Sequence, residues 1–163
     1  MWYVVWTTTG SENKAKEAIE GYVQRCFVPR KVFNIKYQGE WVKKEKALFP
    51  GYLFIDTNDA EKLSQDLRNI EGFNRILTID KKIFPLYEND AIFVEKLYNR
   101  EGLFDVSEGY IEGDVVKVTA GPLCGLEGLI KKIDRHKRLA FLEFKMFGQT
   151  INTSVGLEIT EKR

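Results

Sequence analysis

The stretch WYVVWTT at residues 2–8 is a nearly unbroken run of aromatic and β-branched side chains. Its length and composition predict a β-strand that is buried on both faces. The period then changes, because apolar side chains recur at helical spacing from Ala15 to Cys26 and charged residues occupy the other face. Thr9 and Glu12 have the spacing of a capping box, which predicts that a helix begins there. The chain is therefore predicted to open with a buried strand and an amphipathic helix.

The elements that follow complete an α+β fold. They are a half-exposed strand (28–37), a hairpin turn (38–40), a mobile basic segment (41–46) and a second buried strand (48–56). A helix (60–70), a strand (73–79) and a last helix (88–98) follow. The second buried strand starts or bends at Pro50, because proline has no N–H for a ladder. The order β-α-β-β-α-β predicts a ferredoxin-like domain with a helix-backed antiparallel sheet.

The last third of the chain is predicted to form a small β-barrel. Residues 113–159 contain four or five short β-rich runs that glycines separate or kink, which is typical of an SH3-like barrel. Residues 100–112 contain two glycines, several acids and no clear period, and we interpret them as a linker that lets two domains move. The predicted domains are residues 1–99 and 113–163.

Charge is balanced over the chain but clustered along it. The 163 residues carry 25 Lys and Arg against 24 Asp and Glu, for a formal net charge of +1. This balance excludes a uniformly basic nucleic-acid coat protein, so function depends on where the charges lie. Residues 25–46 contain seven cations against two acids, and residues 131–145 contain six against two.

The sequence RHKR at residues 135–138 is the densest cationic turn, at the tip of a predicted hairpin. We interpret this region as a binding site for nascent RNA, in the form of a hairpin, because a polyanion offsets the mutual repulsion of the cations. The alternative is a turn whose charges are merely solvated. The candidate RNA-binding residues are Lys131, Lys132, Arg135, His136, Lys137, Arg138 and Lys145.

Several classes of function lack the residues they need. One histidine (His136) and two cysteines (Cys26 and Cys124) leave too little material for a classical zinc site or a histidine-based triad. We therefore expect no metal, no cofactor and no enzymatic activity. No apolar run approaches the roughly 20 residues that span a bilayer, and the low cysteine content favours a reduced, cytoplasmic protein. We expect a monomer without membrane contact.

Three motifs resemble those of the NusG family of transcription elongation factors. WYVVWTTTGSENKAKEAIE (residues 2–20) is similar to the family's opening strand and helix, and LFPGYLFI (residues 48–55) to its second signature. GDVVKVTAGPLCGLEGLIKKID (residues 113–134) is similar to its C-terminal KOW barrel. The resemblance covers nearly the whole chain and extends to the specialised paralogues of the LoaP antiterminator class. It implies an N-terminal NGN domain followed by a KOW domain.

The resemblance implies a bacterial protein that binds RNA polymerase and promotes processive transcription. In the family, the NGN domain docks on the β′ clamp helices, and the KOW barrel recruits other partners such as a ribosomal protein or Rho. Strand alternation places Pro50, Tyr52 and Phe54 on one side of their strand, and we expect that side to be more exposed. Carried over by position, the polymerase-binding residues are Trp6, Phe49, Pro50, Tyr52 and Phe54.

The resemblance also implies secondary contacts with nucleic acid and protein. Arg68 and Asn69 match the region that meets the opposite pincer and the non-template DNA, although Ile70 and Glu71 replace the Thr-Pro of the family's turn. Phe147 matches the aromatic residue that contacts the ribosomal partner. A basic arm either joins the RNA site or touches upstream DNA, and its tryptophan is either a stacking platform or packed on the sheet. The arm comprises Lys36, Trp41, Lys43, Lys44 and Lys46.

Two other functions remain open at this stage. One is a general housekeeping NusG in which the basic turn has no specific RNA target. The other is a ribosome-associated protein that uses a KOW barrel as an RNA anchor.

Overall fold

The structure, a computed structural model, describes residues 1–146 and 148–163. In chain order its elements are β1 (Trp2–Trp6), α1 (Glu12–Ile19), β2 (Arg25–Phe27), β3 (Arg30–Tyr37), β4 (Glu40–Ala47), β5 (Tyr52–Asp56), α2 (Ala60–Leu67), β6 (Arg75–Ile76), β7 (Thr78–Ile79), β8 (Lys82–Ile83), α3 (Glu88–Asn99), β9 (Leu103–Phe104), β10 (Ser107–Glu112), β11 (Val115–Ala120), β12 (Ile130–Asp134), β13 (Leu139–Met146) and β14 (Gln149–Lys162). Short 3-10 helices lie at Glu20–Tyr22 and Glu127–Leu129.

These elements form two compact units. The first unit comprises Met1–Pro29 and Phe49–Gly102, and the second comprises Arg30–Leu48 and Leu103–Arg163. The hairpin of β3 and β4 thus groups with the C-terminal strands, although it lies within the N-terminal third of the sequence. These units differ from the predicted domains, which placed residues 30–48 with the N-terminal domain.

The first unit contains an antiparallel four-stranded sheet in the order β2-β5-β1-β6. This strand order confirms the predicted ferredoxin-like arrangement, but β2 takes the place of the strand that was predicted at residues 28–37. One face of the sheet packs with α1 and α2 around a buried apolar cluster that includes Tyr3 and Val5 of β1 and Leu53 and Ile55 of β5. These residues share a face because successive strand side chains point to opposite sides. Ile19 of α1 completes the cluster on the helix side.

The opposite face of the same sheet is aromatic, and α3 covers one end of it. Trp2 meets Phe27 edge-on with ring centroids 5.6 Å apart, and Phe27 lies 5.5 Å from Phe54. Tyr98 of α3 packs against both Trp2 and Phe27, at 5.8 and 5.7 Å. Aromatic pairs at these separations stabilise the fold by more free energy than the burial of their apolar area alone contributes. The first unit therefore has two cores, one on each side of a single sheet.

A charged network closes the end of the aromatic face that α3 covers. Trp2 Nε1 donates to Glu95 at 2.7 Å, Arg25 Nη1 donates to Glu95 at 2.6 Å, and Arg25 Nε donates to Asp56 at 2.9 Å. The hydrogen bonds from Arg25 and Trp2 hold the pKa of Glu95 below its ordinary value. Burial opposes the ionisation of Asp56, but hydrogen bonds from the N-terminal amine and Arg25 outweigh it and lower its pKa.

The second unit is all β apart from one short 3-10 helix in its described residues. Its main sheet has the order β11-β10-β14-β13-β12, in which only the β10–β14 pairing is parallel. A second sheet has the order β4-β3-β9. Alternate residues of β13 are buried, from Ala140 to Met146, and the residues between them face outward. The sheet confirms the prediction of a small C-terminal β-domain.

Several local predictions were wrong. Thr9 does not cap α1, whose N-cap is Ser11 without a side-chain cap hydrogen bond. Three others failed because tertiary pairing prevailed over local pattern. The helix ends at Ile19 and Cys26 lies in β2, because residues 25–27 pair with β5. Residues 41–46 are strand rather than mobile coil, because β4 pairs with β3 along its whole length. Residues 107–112 form β10 rather than a linker.

The close packing of β10 explains why its sequence looks irregular. Gly109 lies at a bulge, where a Cβ atom would come within 2.4 Å of the Lys117 carbonyl oxygen. The Ser107 hydroxyl is buried and accepts a hydrogen bond from the Leu123 N–H at 3.0 Å. Small and polar residues are therefore structural in this strand, where the sequence pattern indicated a flexible connection.

We predict that Glu95→Gln destabilises the first unit at neutral pH by up to about 1 kcal/mol, because the ion pair is partly exposed. The depressed pKa of Glu95 contributes stability above the ordinary carboxyl pKa of about 4.3, and that stability is lost as the pH falls through the lower pKa of the folded state. The difference between wild type and variant should therefore vanish in acid. Urea unfolding from pH 7 to pH 3 measures it, with the exposed Glu17→Gln as control. A difference that persists unchanged at pH 3 would contradict this account.

Candidate functional sites: an aromatic patch and a basic surface

The polymerase-binding residues proposed from the resemblance divide into exposed and buried members. Trp6 is 47% exposed, Pro50 is exposed and Tyr52 is half-buried. Phe49 and Phe54 are 1% and 0% exposed. The side of the strand that carries Tyr52 is therefore not uniformly open, because Phe54 packs against Phe27 and Phe49 beneath α3.

The exposed members form part of a patch at the end of the aromatic face that α3 leaves open. Trp6 is paired with Tyr52 on β5 and with Arg75 on β6. Phe73, 50% exposed, meets Trp6 edge-on with ring centroids 6.3 Å apart. The Arg75 guanidinium lies over the Phe73 ring at 4.6 Å. We call Trp6, Pro50, Tyr52, Phe73 and Arg75 the aromatic patch.

Phe73 and Arg75 were missed by the sequence reasoning. Their segment was predicted as a strand, but nothing in its pattern indicates which strand lies beside it. The pairing of β6 with β1 brings Phe73 to Trp6 across 67 positions of sequence. That Phe73 is a neighbour of Trp6 can be known only from the order of the strands in the sheet.

The turn before β5 shapes the aromatic patch. Gly51 has φ +84°, a left-handed conformation that L side chains rarely adopt. A Cβ atom there would come within 2.9 Å of the Thr7 carbonyl oxygen and 3.0 Å of Trp6 Nε1. The Thr7 N–H donates to the Gly51 carbonyl at 2.8 Å, which ties the turn to the end of β1. The position of the Trp6 ring therefore depends on the absence of a side chain at residue 51.

We predict that Gly51→Ala destabilises the first unit by about 2 kcal/mol, because it combines backbone strain with a steric clash. Gly10 lies in the same unit and has a φ of +94° with nothing within 4 Å of its missing Cβ, so Gly10→Ala measures the backbone strain without the clash. Thermal unfolding of the two variants compares them. Equal losses at both positions would show that the close approach to Trp6 contributes nothing.

Arg68 and Asn69 lie exposed at the C-terminal end of α2, beside a surface cavity of about 530 Å³. Arg68, Phe73, Asn74 and Arg75 are among its lining residues. Asn74 is buried, its Nδ2 donates to the Glu71 carbonyl at 3.4 Å, and its Oδ1 has no hydrogen-bond partner. The cavity is thus lined by two cations, Arg68 and Arg75. Asn69 is not among its lining residues.

The cationic turn of the second unit has a defined conformation. The Lys137 N–H donates to Asp134 Oδ1 at 3.0 Å, and the Arg138 N–H donates to the Arg135 carbonyl at 3.3 Å. Arg135, His136 and Lys137 are exposed, and Arg138 is half-buried. Lys131, Lys132 and Lys145 are exposed on the neighbouring strands. The turn is therefore a short, fixed loop that presents cations to solvent.

The basic arm and the cationic turn meet within the second unit. The Arg138 guanidinium carbon lies 4.1 Å from the centroid of the Trp41 ring, and Lys36 Nζ lies 5.9 Å from it. Lys36 and Trp41 are opposite each other in the β3–β4 register, and Lys43 is the next residue on the same face of β4. We call Lys36, Trp41, Lys43, Arg135 and Arg138 the basic surface. Lys44 and Lys46 are exposed on the other face of β4.

Two other cations of the cluster at residues 25–46 make contacts within the fold instead of facing solvent freely. Arg30 is ion-paired with Glu45 across the hairpin. Lys31 Nζ donates to the Ser154 carbonyl of β14 at 2.6 Å, which ties the hairpin to the main sheet. Burial, with a smaller contribution from the nearby Lys46 charge, lowers the pKa of Lys31.

The described residues offer little for catalysis or metal binding. Among residues 1–146 and 148–163, no group of three or more His, Cys, Asp and Glu side chains is placed to hold a metal ion. Burial raises the pKa of the Cys26 thiol to about 12, so this cysteine remains protonated at neutral pH. The partner contact predicted at Phe147 lies outside the described residues.

Two family models match this chain in the order that the fold suggests. A model described as "Transcription termination factor nusG" matches residues 1–94, and the KOW motif model matches residues 112–144. The chain belongs to the NusG family. It is a NusG-like transcription termination/antitermination factor and not an enzyme.

Curated NusG proteins match over nearly their whole length. "Transcription termination/antitermination protein NusG" of Helicobacter pylori (strain J99) is 25% identical over 171 residues, which cover 99% of this chain and 97% of the relative. The Halalkalibacterium halodurans protein of the same name is 29% identical over 174 residues, which cover 98% and 96%. The NusG relatives therefore share both parts of this chain.

A solved structure supports the NusG fold. The structure titled "Domain interaction in Thermotoga maritima NusG" superposes with a TM-score of 0.56 at 23% identity, and covers 95% of this chain and 92% of that one. None of the helices within residues 1–146 and 148–163 has the length and apolar character of a transmembrane segment.

Proposed function

We propose that this protein is a specialised antitermination factor of the LoaP class. In this proposal the aromatic patch docks on the clamp helices of RNA polymerase, and the cationic turn of the KOW barrel binds a hairpin in the nascent RNA. RNA binding recruits the factor to particular transcripts, and polymerase binding keeps it on the enzyme. Such a factor acts in the cytoplasm, where transcription takes place in bacteria.

The observation that carries the RNA part of the proposal is the division of charge between the two units. The second unit has 15 Lys and Arg against 11 Asp and Glu, whereas the first has 10 against 13. A chain of formal charge +1 is thus divided into a unit of +4 and a unit of −3. A positive unit attracts phosphates and a negative one repels them. Nucleic-acid binding by the second unit is therefore favoured.

The geometry of the cationic turn favours RNA phosphates over a protein partner. Two hydrogen bonds fix the backbone of this loop, so the loop itself needs little ordering when a ligand binds. A-form RNA is recognised mainly through phosphates, 2′-hydroxyls and the bases of its loops. Lys131, Lys132 and Lys145 extend the positive charge along the adjoining strands. This extent favours a contact with the RNA backbone that is longer than the protein's cationic turn alone.

The aromatic patch has the composition of a protein-binding surface. Exposed Trp6 and Phe73 supply large, rigid contact area, and aromatic and arginine side chains contribute most to binding at interfaces. Phe49 and Phe54 are too deeply buried to touch a partner. In this proposal they hold β5 and its turn in place beneath the patch, and contact falls to Trp6, Pro50 and Tyr52.

The cavity beside Arg68 is locally cationic although the first unit as a whole is negative, and we assign to it the contact with the non-template DNA strand. Arg68 and Arg75, which line the cavity, offer positive charge to a phosphate. The cavity adjoins the aromatic patch through Phe73, so a strand bound there would lie beside the polymerase contact.

We predict that Arg135→Ala with Lys137→Ala weakens the binding of a leader-RNA hairpin by about tenfold or more, because two phosphate contacts are lost. The slope of log K against log salt should fall by about two. The measurement uses full-length protein and the tightest-binding stem-loop from a pool of transcribed 5′ leader segments. Lys81→Ala with Lys82→Ala removes two exposed cations from the first unit and should leave both values unchanged. Unchanged affinity and salt slope in the first variant, with folding intact, would refute the RNA site.

We predict that Trp6→Ala with Phe73→Ala reduces the capture of RNA polymerase by about tenfold or more, because two anchor rings are removed from the interface. Tyr22→Ala with Tyr87→Ala removes two other exposed aromatic side chains of the first unit and serves as the matched control. Pull-down of purified core polymerase measures the effect. Equal retention by both double variants would refute docking through the aromatic patch.

The general housekeeping NusG is the second candidate, and the family membership itself favours it. Mapping of the protein along the chromosome separates the two. Presence at one or a few operons supports the specialised factor, and presence at most transcribed genes supports the general one. A protein that co-purifies with ribosomes and not with polymerase would instead be a KOW-containing ribosome-associated protein.

A further inference from the structure

We propose that the β3–β4 hairpin is part of the RNA-binding surface, and that Trp41 is a positioning residue that holds Arg138 for the RNA. This inference rests on the proposed function of the cationic turn and extends it to a second segment of the chain. The ligand is the same nascent RNA hairpin. The new element is that recognition requires the face of the hairpin that carries Lys36, Trp41 and Lys43.

The first step is that the hairpin is fixed to the strands of the KOW barrel. Lys31 Nζ donates to the Ser154 carbonyl at 2.6 Å and lies 3.3 Å from the Thr153 hydroxyl. Gly156 permits close contact, because a Cβ atom there would come within 3.1 Å of the Val32 carbonyl oxygen. Strand β3 also pairs with β9. The hairpin therefore holds its basic side chains at defined positions relative to the cationic turn.

The second step is the origin of the positive charge. Residues 103–163 contain nine Lys and Arg against nine Asp and Glu, so this part of the second unit is formally neutral. Residues 30–48 contain six cations against two acids. The whole excess of positive charge in the second unit comes from the hairpin. A phosphate backbone that approaches the cationic turn is attracted by the local cations of residues 131–145, and the cations of the neighbouring strands β3 and β4 add the net positive charge that the rest of the unit lacks.

The third step is the conformation of Arg138. Its φ of +55° lies in the left-handed region, which favours glycine or asparagine over a long side chain. The Leu157 N–H donates to the Arg138 carbonyl at 3.0 Å and holds the backbone in place. Strained backbone at a non-glycine residue is concentrated at functional sites. The strained turn carries the one arginine of the RHKR sequence that reaches the Trp41 ring.

The fourth step is what the ring contact does for the guanidinium. At 4.1 Å from the ring centroid, Arg138 is within range of a cation–π interaction. Its Nη1 also lies 3.6 Å from Glu158 Oε1, in a partly exposed ion pair. A guanidinium that stacks on a ring keeps its N–H groups available at its edges. Trp41 therefore orders a flexible side chain before RNA binds, which lowers the entropy cost of the contact.

The test compares Trp41→Ala, Arg138→Ala and the double variant in binding to the same selected stem-loop over a range of salt concentrations. We expect each single change to weaken binding by about tenfold, and the double change to weaken it little further, because both remove one coupled contact. Trp41→Ala removes no charge, yet it should lower the salt slope by about one, as Arg138→Ala does. Trp41→Phe should restore most of the affinity and the slope.

A matched control lies in the same unit. The Arg163 guanidinium carbon lies over the Tyr110 ring at the same distance of 4.1 Å. Tyr110→Ala and Arg163→Ala should change affinity by less than about twofold, since this pair is not part of the basic surface. Far-UV circular dichroism and thermal unfolding establish that each variant is folded. If Trp41→Ala does not fold, Trp41→Phe against Trp41→Leu provides the same comparison of a ring with an apolar side chain.

Three results would overturn the inference. Trp41→Ala could leave affinity and slope unchanged while Arg135→Ala with Lys137→Ala weakens binding, in which case the proposed function stands and the hairpin has no part in it. The losses from Trp41→Ala and Arg138→Ala could multiply in the double variant, which would show that the two residues act independently. A wild-type protein that binds no stem-loop from the pool, or that binds duplex DNA equally well, would remove both the inference and the proposed RNA site.

Discussion

The register of β1 between β5 and β6 is the constraint on which the first unit depends. Because side chains alternate along a strand, Tyr3 and Val5 enter the helix-backed core, whereas Trp2 and Trp6 face the other side. A shift by one residue would exchange these two sets and expose the apolar core. The same register places Trp2 under α3 and Trp6 at the open end. One strand thereby determines both the packing and the surface that we assign to the polymerase.

The second unit depends on a different feature. The basic β3–β4 hairpin is attached to the formally neutral strands of residues 103–163. Lys31 contributes its charge to this attachment, and hydrogen bonds from its ammonium group to β14 compensate for its partial burial. The remaining cations of the hairpin stay exposed. The hairpin brings the whole net charge of +4 of this unit, and the formally neutral barrel contributes the locally cationic turn at residues 135–138, whose Arg138 lies over the Trp41 ring of the hairpin.

Much of the architecture could be predicted from the sequence because it depends on local pattern. The buried strands at residues 2–8 and 48–56, the helix near residue 88 and the β-rich C-terminal region follow from side-chain periodicity and β-propensity. The errors occurred where pattern and pairing disagree. Cys26 fits a helical stripe, but its backbone pairs with β5. Residues 43–46 are charged on both faces and therefore gave no alternation of apolar and polar side chains from which to recognise β4.

The sequence by itself determined the composition of the two candidate sites: aromatic residues before and within β5, and cations in two clusters far apart along the chain. Only the tertiary structure decided which of these residues act together. It buried Phe54, brought Phe73 to Trp6, and placed Arg138 on Trp41. The physical reason is that burial and proximity depend on which strands pair. Strand pairing is decided by interactions between segments far apart in the sequence, which no local pattern encodes.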